Sequence, residues 1–149
     1  MLVPEARSAV AEAAQAVARA RLVVAGAGNL SVREGELVAI TPRGARLEHL
    51  TADECTVVDL AGRHREGDRR ASSELPLHLS VYESTDALAV VHTHSVYATA
   101  VSAVATELPA VHYACADLGG PLRVAPYATF GTEELAAGVM AACAAFSLS

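Results

Sequence analysis

Two histidines, His92 and His94, stand one residue apart at the end of the apolar run Ala87 to Val91. If that run is a strand, residues i and i+2 point to one face, so the imidazoles converge without special backbone. Imidazole suits zinc, iron, nickel and copper. A lone histidine in such a place is more often a hydrogen-bonded core or surface group. A His-x-His pair that ends an apolar strand and precedes a helix start points instead to a divalent metal.

Other residue groups supply further chemistry. Ser72-Ser73-Glu74 precedes a helix, and a serine cap there would leave backbone N–H groups facing outward, an end that attracts phosphate. A carboxylate in a first turn is also an ordinary capping preference. His78 lies four residues after Glu74 on the same helical face and reads as its neighbour rather than as a third ligand. Gly26-Ala27-Gly28-Asn29 joins a helix to a strand, the reverse of the dinucleotide-binding order. Glycine and asparagine there allow positive φ and a close approach of backbone N–H groups to an anion. Thr41-Pro42-Arg43-Gly44 is a second tight loop. Each loop alone is compatible with a plain turn; with Ser72 and Ser73 they form a candidate anion-binding set. Tyr113 and Tyr127 carry hydroxyls able to protonate a leaving oxyanion, although most tyrosines are packing groups. His49 and His64, in polar stretches, carry no assigned role.

The elements that must position these groups follow from periodicity and turn chemistry. Pro4 opens an Ala-rich helix to about Leu22. Leu30 to Arg33 and Glu36 to Thr41 read as strands about the turn Glu34-Gly35. Thr51 to Glu54 has the capping-box form, and Thr56 to Leu60 reads as a strand. Ala61 to Arg70 reads as turn and loop, with its Arg/His run solvated. Leu75, Leu79 and Tyr82 mark one face of a helix. The unalternating run Ala87 to His92 predicts a central strand buried on both faces. Ser95 to Val104 reads as helix, Ala110 to Tyr113 and Leu122 to Ala125 as extended. Thr132 caps a last helix, Glu133 to Ala144. Helices and strands alternate, so the class is α/β or mixed α+β in one domain.

Composition narrows the rest. The 149 residues are 52% hydrophobic and 19% charged, with a net charge of −6 and no lysine. Nothing forms the basic stripe that nucleic-acid binding needs. The low charge content suits a surface shared between subunits, and equally a plain alanine bias. Cys55, Cys115 and Cys143 make no disulfide framework and read as buried reduced thiols, as expected in the cytoplasm. No apolar run approaches the ~18 residues of a membrane span.

Gly28-Asn29-Leu30-Ser31-Val32-Arg33, Thr41-Pro42-Arg43-Gly44, Ser72-Ser73-Glu74, Val90-Val91-His92-Thr93-His94 and Ala125-Pro126-Tyr127-Ala128-Thr129-Phe130-Gly131 occur in this order. The chain thereby resembles the class II aldolase/adducin family, and within it the aldolases acting on L-fuculose 1-phosphate, with sugar-phosphate 4-epimerases as near relatives. The resemblance implies a central, mostly antiparallel sheet flanked by helices, and a homotetramer with active sites between subunits. It implies that His92 and His94 bind Zn²⁺ or another divalent transition metal. Glu74 would be the acid/base and a ligand when substrate is absent. Gly28, Asn29, Gly44, Ser72 and Ser73 would hold the phosphate of a small phosphorylated sugar, and Tyr113 would stand near the aldehyde oxygen. The implied reaction is reversible cleavage of a 1-phosphoketose to dihydroxyacetone phosphate and an aldehyde through a zinc-stabilised enediolate. An epimerase or dehydratase of the family is one alternative; a non-catalytic, adducin-like or degenerate oligomerising module is another. Arg43 departs from the Thr or Ser that such aldolases carry before the glycine. It could strengthen the phosphate grip through a forked contact, block the pocket or serve another anion. The family also carries a third metal histidine downstream of the last helix, and residues 144–149 contain none. The expectation is a domain over 1–149 that is incomplete at its C-terminus, holds metal more weakly and has its activity at risk.

Overall fold

A computed structural model describes residues 1–113, 115 and 120–144 of the chain. The histidine-free tail 145–149 lies outside the described residues.

Helix α1 (Pro4–Arg19) carries Pro at its start, where the missing N–H costs nothing, and alanines through its length. It stops three residues earlier than the alanine content suggests. Arg21 takes φ 56°, and the Arg21 and Leu22 amides turn back to the carbonyls of Ala18 and Val17. These are the paired bonds of a left-handed helix terminus, here formed without glycine.

Strands β1 (Asn29–Glu34), β2 (Leu37–Ile40), β3 (Thr56–Asp59), β4 (His64–Glu66) and β5 (Ala89–His92) form one antiparallel sheet in the order β4-β3-β2-β1-β5. Helix α1 covers one face, with Ala6, Val10 and Ala14 packed on Leu30, Ala39 and Val57. Helix α2 (Leu75–Ser84) covers the other, where Leu75, Leu79 and Tyr82 meet Val38, Val58 and Val90. The strict alternation of strand side chains produces this split: Leu30 goes to α1, Asn29 and Ser31 go to α2. Beyond the sheet lie α3 (Val96–Ser102), the two-residue strands β6 (Glu107–Leu108) and β7 (Leu122–Arg123), paired with each other, and α4 (Glu133–Ala144). The expected mixed fold with a central antiparallel sheet flanked by helices is what the chain adopts. At Thr51 the expected box is present, with the Glu54 carboxylate accepting from the Thr51 amide at 2.9 Å. Thr132 also caps α4 as expected, its hydroxyl accepting from the Leu135 amide at 3.2 Å.

Four expectations need correction. The Arg/His run is not all loop: His64–Glu66 forms strand β4, because backbone pairing with Val57 and Val58 needs no side-chain pattern. Its Glu66 pairs with the buried Arg7 of α1 at 3.1 Å. Strand β5 is not central; among the described residues it is the sheet's edge, paired only with β1, and Val91 is 53% exposed. Ala110 to Tyr113 is not a strand, and the extended segment falls earlier, at Glu107–Leu108. Cys143 is exposed, whereas Cys55 and Cys115 are buried free thiols. No helix among the described residues is long and apolar enough to cross a membrane.

The two-faced packing predicts unequal costs. Leu30→Ala, at a 1% exposed position under α1, should lose about 2–5 kcal/mol in urea unfolding. Val24→Ala, half exposed in the loop after α1, should change stability by no more than about 0.5 kcal/mol. Equal losses would contradict the layer assignment.

Candidate active site

Sheet register brings the first two groups together. Asn29 of β1 is the cross-strand partner of His92 of β5, on the face that α2 covers. Directly paired residues on one face are neighbours, so the glycine loop before β1 and the histidines after β5 share one end of the sheet. Strand β5 ends at His92, but the chain stays extended enough for the His92 and His94 rings to lie 4.9 Å apart, centroid to centroid. The His94 amide donates to the Leu22 carbonyl at 2.9 Å, which anchors the segment after the strand.

Gly28 is required where it stands. Its φ is +102°, and a Cβ there would lie 2.9 Å from the His92 carbonyl oxygen and 2.6 Å from Val23 Cγ1. Only glycine lets the two segments approach this closely. The second loop is tied to the third: Ser72 donates its amide to Thr41, and Arg43 donates its amide to Arg70. Arg69 Nη2 holds the Arg43 carbonyl at 2.7 Å, and Thr56 of β3 holds the Arg69 carbonyl at 2.9 Å. Helix α2 opens one residue later than a serine cap would set it. Glu74 is its N-cap, and the Ser72 hydroxyl accepts from the Glu74 amide at 3.2 Å.

These segments enclose a cleft of about 550 Å³. Gly28, Asn29, Arg43, Gly44, Ser72, Ser73, Glu74, His92 and His94 all line it. Tyr127, Phe130 and Leu135 add to its wall. Tyr113 does not: it is 81% exposed, lies outside the cleft and stacks on His112. Its expected place beside the reacting groups is therefore not met within a single chain.

Glu74 is buried, and its two oxygens differ. Oε1 accepts the Gly131 amide at 3.1 Å, while Oε2 is buried with no hydrogen-bond partner. Burial pushes the Glu74 carboxyl up; the Gly131 amide and the nearby His94 oppose that rise. Gly131 is itself fixed by space, since a Cβ would come within 2.7 Å of the Ser73 carbonyl oxygen. His92 Nδ1 is the second buried atom of the cleft without a partner. Burial lowers the His92 pKa, and His94 lowers it further, so the ring is neutral and keeps a lone pair at neutral pH. A buried carboxylate oxygen and a buried neutral imidazole nitrogen, both unbonded, are costly unless something binds them. Two imidazoles and a carboxylate are a donor set that suits a zinc-like cation. Among the described residues, no three His, Cys, Asp or Glu side chains form a ready cluster. The pair and Glu74 thus fit a cation as an open site rather than a closed one.

His78 does something its spacing from Glu74 did not suggest. It is fully buried, with Nε2 2.5 Å from Asn29 Oδ1 and Nδ1 2.6 Å from Ser31 Oγ. The Tyr82 hydroxyl also meets Ser31 Oγ at 2.6 Å. The missed signal was a pair of matching periods: His78 and Tyr82 are four apart on a helix, Asn29 and Ser31 two apart on a strand. Each pair presents two polar groups to one face. Gly131 as the partner of Glu74 left no signal beyond its residue type.

The family model described as Class II Aldolase and Adducin N-terminal domain matches residues 8–147. L-fuculose phosphate aldolase of Escherichia coli (strain K12) is 48% identical over 111 residues, covering 73% of this chain and 51% of that protein. The 5-methylthioribulose-1-phosphate/5-deoxyribulose-1-phosphate aldolase of Rhodospirillum rubrum is 39% identical over 138 residues, 91% of this chain and 62% of that protein. A solved L-fuculose 1-phosphate aldolase superposes with a TM-score of 0.89 at 35% identity, covering 94% of this chain and 68% of its own. The chain thus spans about half the length of the first relative and less than two thirds of the second.

Burial pushes the His78 pKa down to about 4, whereas an unfolded histidine titrates near 6.5. Between these values the unfolded chain binds the extra proton, so stability is full above about pH 6.5 and falls as pH drops towards 4. From pH 7 to pH 5 this single group should remove about 2 kcal/mol of unfolding free energy. Urea unfolding of the wild type and of His78→Gln at the two pH values checks it. The variant should show a loss smaller by that amount; equal losses would show that His78 is not held neutral.

Proposed function

The chain belongs to the class II aldolase and adducin family, and from that premise we propose that it carries the cleavage site of an aldolase acting on a small 1-phosphoketose. L-fuculose 1-phosphate and the 5-deoxypentulose 1-phosphates named for its relatives are the first candidates. One observation carries the reading: Glu74, His92 and His94 line one cleft with the Gly28-Asn29 and Arg43-Gly44 loops and the start of α2, and Glu74 Oε2 and His92 Nδ1 are buried without a partner.

His92 and His94 would hold the divalent cation, zinc in the first instance, with Glu74 as a further ligand when no substrate is present. When bound, the cation supplies Lewis-acid stabilisation of the negative charge that builds on the substrate's oxygens. The loops at Gly28-Asn29, Arg43-Gly44 and Ser72-Ser73 grip the phosphate through amides, hydroxyls and the Arg43 guanidinium, which fixes the ketose so that one carbon–carbon bond faces the metal. Glu74 moves the proton at the carbon that loses or gains its partner. Its raised pKa brings it nearer to the working pH of a general base, and the Gly131 amide on Oε1 fixes the carboxylate while Oε2 stays without a partner. Tyr113 stands outside its own cleft, so a role for it at the aldehyde oxygen requires a second copy of the chain. Exposed Val96, Tyr97, Val104 and Val111 in the same stretch support such a homo-oligomer.

An assay for dihydroxyacetone phosphate released from L-fuculose 1-phosphate, with zinc present, tests the proposal. Glu74→Gln should lower kcat by about 10²–10⁴-fold, the range for loss of a positioned acid/base. His92→Ala should weaken zinc binding in equilibrium dialysis by more than the about 10–100-fold cost of losing an outer-shell partner. Full activity of Glu74→Gln would refute the mechanism. Epimerised or dehydrated product would move the chain to another branch of the family, and absence of zinc uptake would favour a non-catalytic module.

A further inference from the structure

We propose that His78 is a positioning residue for the anion cleft: through its bond to Asn29 Oδ1 it turns the Asn29 amide so that the N–H₂ group faces the bound phosphate. The inference rests on reading the cleft as a sugar-phosphate site.

Asparagine is ambiguous as an anion ligand. Its two ends have nearly the same shape but opposite hydrogen-bonding character, and a flipped amide would present an oxygen to a phosphate. Asn29 lines the cleft and is 6% exposed, so its orientation must be set from inside the protein. His78 stands behind it, 2.5 Å away and fully buried. A neutral imidazole carries one N–H, and the surrounding groups decide where it sits. The Asn29 carbonyl oxygen can only accept, so its contact with His78 calls for the ring proton on Nε2. Nδ1 is then the acceptor for the Ser31 hydroxyl, and Ser31 Oγ in turn accepts from the Tyr82 hydroxyl. His78 thus donates from Nε2 to Asn29 Oδ1, with the Ser31 and Tyr82 hydroxyls aligned behind Nδ1. With that oxygen committed, the amide N–H₂ is what Asn29 has to offer the cleft. Burial, which pulls the His78 pKa down to about 4, keeps the ring neutral and the assignment single at neutral pH. Asn29 and Ser31 are paired across the sheet with His92 and Val90, so the strand pairing that delivers the histidine pair also places the groups that set the phosphate donor.

A ¹⁵N–¹H NMR titration with inorganic phosphate reads this directly, following the Asn29 side-chain amide in the wild type, His78→Gln and His78→Met. The wild type should show saturable shifts of the Asn29 Nδ2 resonances. His78→Gln restores an N–H donor and should bind phosphate within about threefold of wild type. His78→Met cannot donate and should bind about tenfold more weakly, the scale of one charge-assisted hydrogen bond. A purely structural role would lower the melting temperature of both variants and leave phosphate affinity unchanged, and that result overturns the inference. Should His78→Met fail to fold, Ser31→Ala carries the same two outcomes, because it removes the donor that fixes the tautomer while keeping His78. A wild type that shows no phosphate response refutes the cleft reading itself, a failure distinct from unchanged affinity in the variants.

Discussion

The pairing of Asn29 with His92 across β1 and β5 is the constraint on which the rest depends. It places the Gly28-Asn29 loop and the His92/His94 pair at one end of the sheet, on the face that α2 covers. A slip of one residue in β5 would send His92 to the α1 side, away from Asn29 and Ser31. Gly28 holds the approach from behind, because its missing Cβ is the space into which the His92 carbonyl fits. The site is therefore a consequence of register first and of loop chemistry second.

Electrostatics then sorts the titratable groups at that end. Burial acts on all three of Glu74, His78 and His92, and in each it disfavours the charged form. The outcomes differ because the partners differ. His78 has both nitrogens bonded and is closed. His92 and Glu74 each keep one buried atom unbonded and are open. A neutral histidine with both nitrogens bonded is scaffold; unpartnered donors on residues that line a cleft fit a ligand. The same residue type thus serves two purposes only because His78 meets a strand's hydroxyl and amide whereas His92 Nδ1 is buried with no partner.

Much of this was legible in the sequence, for physical reasons. Residue type and a period of two were enough to read His92 and His94 as a converging pair, since their rings meet even though the strand stops at His92. Glycine and asparagine before β1 announced a loop that tolerates positive φ. What was hidden depends on other layers. An apolar run such as Ala87 to His92 reports that a strand forms, but not whether both its edges are paired, so β5 was read as central. Strand β4 is held by backbone bonds under charged side chains and left no periodic trace. His78 could be seen to share a face with Glu74, but the polar groups it meets lie on a strand 47 and 49 residues away. Tyr113 was assigned by resemblance, and no local pattern could show that it stands away from its own cleft.

The distribution of buried polar side chains gives the last step. Arg7, Asn29, Ser31, Thr41, Thr56, Glu74 and His78 are all buried. Arg7 has a plain structural role, tying α1 to Glu66 and to the Ala52 carbonyl. The others gather towards the cleft end: Thr41 holds the Leu30 amide of β1, Thr56 holds the Arg69 carbonyl, Asn29, Ser31 and His78 form one relay, and Glu74 lines the wall. A sheet built for stability alone would fill those positions with valine and leucine, which need no partners. Each polar group here must instead be matched by another from a distant segment, so a single loss strands its neighbours. Such placement is costly for a core alone and fits positions set by the proposed cleft.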